Sequence, residues 1–114
     1  MKLDVKQADG VTVLGVKGSL IGGPETFAVH DRVKQLLSGK TTRMVIDLSD
    51  VGAINSTGLG MLMGCYTSVK NAGADIKLAG IGEKVKNIFV ITKLITIFDV
   101  FESVQEAVAA FGKV

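Results

Sequence analysis

The sequence predicts an α/β domain whose mixed, mostly parallel sheet has four to five strands, opens with a β-hairpin and carries about four helices. Three observations predict it. Asp9-Gly10 separates two runs of alternating character, Met44 to Leu48 is a near-continuous apolar run, and the stretches after it alternate between β-rich segments and apolar residues spaced three and four apart. Repeated β-α units after an initial hairpin imply a sheet that is parallel beyond its first two strands.

In the first element, Leu3 and Val5 alternate with Lys2, Asp4 and Lys6, and Asp9-Gly10 precedes the run from Val11 to Lys17. An Asp-Gly pair between two such runs is a hairpin signal, so the first two strands are antiparallel neighbours. Gly22-Gly23-Pro24 breaks the chain, and proline in a first helical turn followed by Val29, Val33, Leu36 and Leu37 marks an amphipathic helix ending at Ser38-Gly39. Met44, Val45, Ile46 and Leu48 read as a central strand covered on both faces. After Asp50 a loop leads into a second helix, with Leu59, Leu62, Met63, Tyr66 and Val69 on its apolar side. Gly60 and Gly64 lie one turn apart in it, each costing about 1 kcal/mol of helix propensity, a pattern that permits close approach to a sheet or a partner. Gly73 ends that helix, and Ile76 and Leu78 form a further strand. A third helix follows Gly82, with Val85, Ile88, Phe89 and Thr92 on one face. Ile95 to Phe98 is a short β-rich segment, and Ser103 with Glu106 forms a capping box for a last helix carrying Val104, Val108 and Phe111.

The 114 residues suit one domain, expected to span 1–114, with roughly two-thirds of its surface buried on folding. The 13 basic and 11 acidic side chains leave a formal charge of +2, too balanced for the basic stripe that binds phosphate backbones, so nucleic acid is not the expected partner. Hydrophobic residues reach 47% while aromatics are only 5% and Trp is absent, which makes the core aliphatic. Cys65 and His30 are the sole residues of their kinds, so neither an internal disulfide nor a four-ligand zinc site is available, and no cofactor is expected. The amino-terminal run has charges at every second or third position and no apolar h-region, which points to a cytoplasmic protein. The roughly 19 uncharged residues between Asp50 and Lys70 approach a membrane-spanning length, but Asn55, Ser56, Thr57, Thr67, Ser68 and four glycines interrupt them. Direct membrane insertion is not expected.

Few residues of the chain suit reactive chemistry. His30 lies inside the first helix beside Asp31, which suits a solvent-facing or structural role, and no Ser-His-Asp arrangement follows from it. Cys65 lies well inside a helix and reads as a small buried apolar group rather than a thiolate. Gly58-Leu59-Gly60 lacks the third glycine of a dinucleotide loop, since Met63 stands there, and no phosphate-binding GxxxxGK[ST] exists. Asp47 and Asp50 suit loop-capping as readily as any catalytic role. One site survives, Asn55-Ser56-Thr57-Gly58, where the central strand's loop meets the second helix. Ser56 or Thr57 is expected to cap the helix, worth about 1 kcal/mol. The same terminus would accept a phosphate on Ser56, because the first-turn N–H dipoles favour added negative charge.

At these residues the chain resembles a known family. The run from Val45 to Gly64, Val-Ile-Asp-Leu-Ser-Asp-Val-Gly-Ala-Ile-Asn-Ser-Thr-Gly-Leu-Gly-Met-Leu-Met-Gly, is similar to the core motif of the anti-sigma factor antagonists, stand-alone STAS domains. The resemblance extends to Gly18-Ser19-Leu20, to the glycine before Ala74-Asp75-Ile76, and to the segment from Phe98-Asp99 to Glu106-Ala107. It implies a STAS-like fold and a non-enzymatic regulatory module. It further implies that Ser56 is phosphorylated by a partner that is both serine kinase and anti-sigma factor, with Thr57 the second hydroxyl and Gly58 the turn residue. Unphosphorylated chain would capture that partner, phosphorylated chain would be released, and a serine phosphatase would restore it. The implied docking residues are Asn55, Ser56, Thr57, Gly58 and Leu59 with Ile21, Gly22 and Gly23 of the adjoining loop. Two positions depart from the family pattern: Asn55 replaces an aspartate, and Ile21 replaces an acidic residue. A rival reading of a different class is a non-switching accessory subunit of a membrane lipid transporter or a sensory scaffold.

Overall fold

The computed structural model describes residues 2–93 and 97–112. The alternation at the amino end yields β1 (Lys2–Ala8) and β2 (Val11–Leu20), paired antiparallel with Leu3 opposite Val16 and Val5 opposite Leu14. Asp9 and Gly10 both adopt positive φ, 51° and 79°, the pair of left-handed residues that lets a two-residue turn follow the strands' twist. There follow α1 (Gly23–Ser38), β3 (Arg43–Ile54), α2 (Ser56–Asn71), β4 (Asp75–Ala79), α3 (Glu83–Ile91), β5 (Val100–Phe101) and α4 (Val104–Ala110). The strands form one sheet in the order β1-β2-β3-β4-β5, antiparallel at β1–β2 and parallel elsewhere.

The period-two alternation of β3 builds two cores from one strand. Met44, Ile46 and Leu48 face α1, α2 and α3, where they join Leu14, Leu78, Val29, Val33, Leu62, Cys65 and Phe89. Val45 points to the opposite face and packs with Val13, Ala79 and the α4 residues Ala107 and Val108. Full burial of each large aliphatic or aromatic side chain contributes about 1.5–3 kcal/mol, so the face under α1, α2 and α3 dominates stability. On the α4 side Lys77 is only 8% exposed. Its Nζ lies 2.9 Å from Asp99 Oδ2 and 4.7 Å from the centroid of the Phe111 ring, which supply the charge partner and the π face a desolvated ammonium requires.

The expected β-rich segment at Ile95–Phe98 is displaced. Ile95 and Thr96 lie outside the described residues, Ile97 and Phe98 form a turn and bend, and the edge strand is Val100–Phe101. Phe98 is buried against Tyr66 and Phe89, with ring centroids 5.3 and 6.3 Å away. Its apolarity therefore serves as a plug in the core, and ladder bonding starts one residue later, where Leu78 N–H donates to the Asp99 carbonyl at 2.9 Å.

β3 outruns β4, which pairs only with Arg43–Asp47, so β2 alone accompanies its second half. The β2–β3 register shifts between Gly15 and Lys17 and again between Gly18 and Leu20; such irregularities bend a strand and re-aim its end. They bring Leu20 opposite Ile54. The β2–α1 loop and the β3–α2 junction thus emerge side by side at the carboxyl end of the sheet.

Candidate functional site

The junction is organised by Asn55. Its backbone is extended (φ −121°) and its Oδ1 accepts the Gly58 N–H at 3.0 Å, so Asn55 is the N-cap of α2. This corrects the expectation that Ser56 or Thr57 caps the helix. Asparagine is among the best N-cap residues, and using it leaves both hydroxyls in the first turn. Leu59 N–H closes the first helical bond to the Asn55 carbonyl at 2.9 Å. Asn55 also reaches sideways. Its backbone N–H donates to the Leu20 carbonyl at 3.2 Å, and its Nδ2 donates to the Ile21 carbonyl at 2.7 Å.

Close packing fixes the height of the helix. A Cβ on Gly58 would overlap the Leu20 carbonyl oxygen and lie 2.8 Å from Ile54 Cγ1 and 2.9 Å from Leu20 Cβ. Gly58 is therefore the close-approach glycine, and its buried position seats α2 on the ends of β2 and β3. Of the glycines expected in that role, Gly64 shares it, since a Cβ there would meet His30 Cε1 at 2.9 Å, but Gly60 has nothing within 4 Å. The His30 ring fills the space that Gly64 leaves, and its Nε2 pairs with Ser68 Oγ at 2.9 Å, tying α1 to α2. Burial, with Lys34 nearby, pushes the His30 pKa down against the pull of Asp31. On the loop side Gly22 takes φ 116° and lies against Thr57, whose Cγ2 would be 3.7 Å from a Cβ at Gly22. Thr26 Oγ1 accepts the Gly22 N–H at 2.9 Å and donates back to its carbonyl at 3.0 Å.

The expected docking residues separate into two groups. Asn55, Ser56, Thr57, Ile21 and Gly23 are exposed and Gly22 is half-buried, so these six surround the α2 terminus. Leu59, 6% exposed, belongs to the core, and Gly58 is buried beneath the helix start. Those two lie beneath that surface and support it from below. Ile21, 57% exposed, is the large apolar side chain of that surface.

Ser56 is the first residue of α2, and no acidic side chain lies in that first turn, so the positive end of the helix dipole is uncompensated there. Twelve residues of helix separate Ser56 from Ser68, about 18 Å at 1.5 Å per residue. His30, bonded to Ser68, is thus out of reach as a base for the Ser56 hydroxyl. Cys65 is buried and its thiol is pushed up to about 12 by desolvation, which removes it as a nucleophile. Among the described residues no cluster of His, Cys, Asp and Glu could hold a metal, and no helix is long and apolar enough to cross a membrane.

A model of the STAS domain family matches residues 2–107. The chain belongs to the STAS domain family. Among characterised relatives, this STAS domain is 40% identical over 102 residues to the anti-sigma-B factor antagonist of Bacillus subtilis (strain 168), covering 88% of this chain and 90% of that protein. Its fold superposes with a TM-score of 0.85 on a candidate anti-sigma factor antagonist from Thermotoga maritima, 24% identical, covering 95% and 92% of the two chains. The Bacillus cell fate determinant SpoIIAA has been solved in unphosphorylated and phosphorylated forms. The STAS domain matches these at TM-scores of 0.71 and 0.72 with 11% and 12% identity, over 96% of this chain and 96% and 99% of those. The five-stranded sheet and four helices are the STAS arrangement.

Proposed function

We propose that this chain is an anti-sigma factor antagonist working by partner switching. Unphosphorylated, it captures an anti-sigma factor that is also a serine kinase; phosphorylation of Ser56 releases that partner, and a serine phosphatase restores the starting state. The reading makes the chain a non-enzymatic, single-domain cytoplasmic module over residues 1–114 that binds proteins and neither nucleic acid nor membrane. What carries it is the placement of Ser56, exposed at the first position of α2 beside the β2–α1 loop, in a chain that resembles an anti-sigma-B factor antagonist over most of its length. A phosphate there gains from the helix dipole in the free domain. Desolvated against a packed partner it is unfavourable unless cations await it. Thr57 packs its methyl toward Gly22, which favours Ser56 as the outward hydroxyl.

The test is incubation with ATP and the kinase that co-purifies with the chain from its source cells, followed by peptide mass spectrometry. Phosphate on Ser56 with Thr57 clean is the expected result; phosphate on Thr57 or elsewhere overturns the assignment. Asn55 and Ile21, in place of the acids of the family pattern, favour a second reading, a non-switching accessory subunit of a membrane lipid transporter or a sensory scaffold. A transporter ATPase recovered as the companion, in place of a histidine-kinase-like one, would establish that reading.

A further inference from the structure

The Asn55 side chain makes two hydrogen bonds of opposite sense. Oδ1 accepts from Gly58 N–H, and Nδ2 donates to the Ile21 carbonyl. The pair fixes the amide's orientation, since the flipped arrangement would set an NH2 group against an N–H and an oxygen against an oxygen. It also restricts residue choice. A carboxylate would keep the first bond, with a charge that suits a helix N-terminus, but it has no proton for Ile21 and would bring an anionic oxygen against the Ile21 carbonyl. Serine would keep the cap and fall short of the loop.

We propose that Asn55 is a positioning residue. Its amide latches the β2–α1 loop to the start of α2, so that Ile21–Gly23 and Ser56–Thr57 meet a partner as one prearranged surface. The proposal deepens the partner-switching reading and rests on it. The latch spans 34 residues of sequence between two segments that are otherwise joined at the backbone by the Asn55 N–H to the Leu20 carbonyl. The exposed Ile21 side chain sits on the very residue whose carbonyl is held. Binding to a prearranged surface avoids the ordering cost of a loose loop.

Asn55→Asp separates this role from capping, because the two predict opposite effects. As a cap, aspartate equals asparagine and gains from the helix dipole; as a latch, it fails. The experiment uses the whole chain as wild type, Asn55→Asp and Asn55→Ser. Amide hydrogen exchange at Ile21 and Gly23 is read without partner, since Thr26 Oγ1 holds the Gly22 N–H separately, and affinity for the co-purified kinase is read by titration calorimetry. The latch predicts roughly tenfold faster exchange in the loop for both variants, unchanged exchange within α2, and about five- to tenfold weaker capture, the loss of one hydrogen bond. Unchanged loop exchange overturns the latch. Faster exchange with undiminished capture overturns its part in docking. A wild-type chain that fails to bind the kinase refutes the partner-switching reading, and the docking role with it, while the exchange data still report whether the loop is tied.

Discussion

Gly58→Ala sets two effects of known size against each other. Replacing a glycine inside a helix by alanine gains up to about 1 kcal/mol of propensity. Against that stands the new methyl, which would overlap the Leu20 carbonyl oxygen and approach Ile54 Cγ1 at 2.8 Å and Leu20 Cβ at 2.9 Å. Optimal carbon contacts lie near 3.5–4.0 Å, so these neighbours would have to move by about 0.6 Å or more. Leu20 is poorly able to do so. It is fully buried, its carbonyl accepts the Asn55 N–H, and it is paired opposite Ile54. Overpacking at such a place costs about 1–3 kcal/mol, and the rigid neighbour puts the cost near the upper limit. The net expectation is a loss of about 2 kcal/mol after the gain in propensity. In urea this lowers the midpoint by roughly 1 M at unchanged slope. Gly60→Ala is the internal control. It lies in the same helix with nothing within 4 Å of the new methyl, so it should gain up to about 1 kcal/mol. If both substitutions shift the midpoint upward, α2 is not seated on Leu20 as described, and the derivation of the site from that contact fails.

Ser56→Ala should fold normally, because Asn55 and not Ser56 caps α2, and should bind the partner constitutively, whereas Ser56→Asp should lose about 3 kcal/mol, a hundredfold or more in affinity. Calorimetry on the three proteins measures this, and equal binding by all of them excludes partner switching. Ile21→Ser, at a 57% exposed position, should change stability by no more than about 0.5 kcal/mol yet weaken capture; undiminished affinity would remove the loop from the interface. Gly22 is unsuited to that test because its φ of 116° strains any side chain. Cys65, buried with its thiol near 12, should resist an aromatic disulfide reagent at pH 8 and react only in denaturant, and rapid labelling of the native chain would contradict the packing of α2.

Local rules carried most of the architecture. The Asp9-Gly10 turn, the doubly covered run from Met44 to Leu48 and the Ser103–Glu106 cap each need only a few neighbouring residues, and each stands where the pattern puts it. What stayed hidden depends on distant partners. Phe98 reads as strand until Tyr66 and Phe89 claim it. Gly58 reads as a turn residue, whereas its reason is Leu20, 38 positions earlier. The hydroxyls of Ser56 and Thr57 competed with Asn55 for the cap, and only the position of the Ile21 carbonyl makes an amide worth more there than a hydroxyl. The place of Ser56 at the start of α2 was legible from the residues around it, where an apolar strand gives way to a loop and then to helical spacing.

The two unequal cores also imply something about how the molecule breathes. α4 has seven residues and grips the back of the sheet through Ala107, Val108 and the flanking aromatics, too short to persist as a helix once it leaves. Its detachment would wet Val13, Val45 and Ala79 while leaving α1, α2 and α3 clamped to the other side. Such an excursion lies well below global unfolding in free energy, and β3, shared by both sides, acts as the firewall between them. Fluctuation or mutational drift behind the sheet is thereby kept from the edge that displays Ser56, and a tether fused at the α4 side would leave that edge mechanically undisturbed.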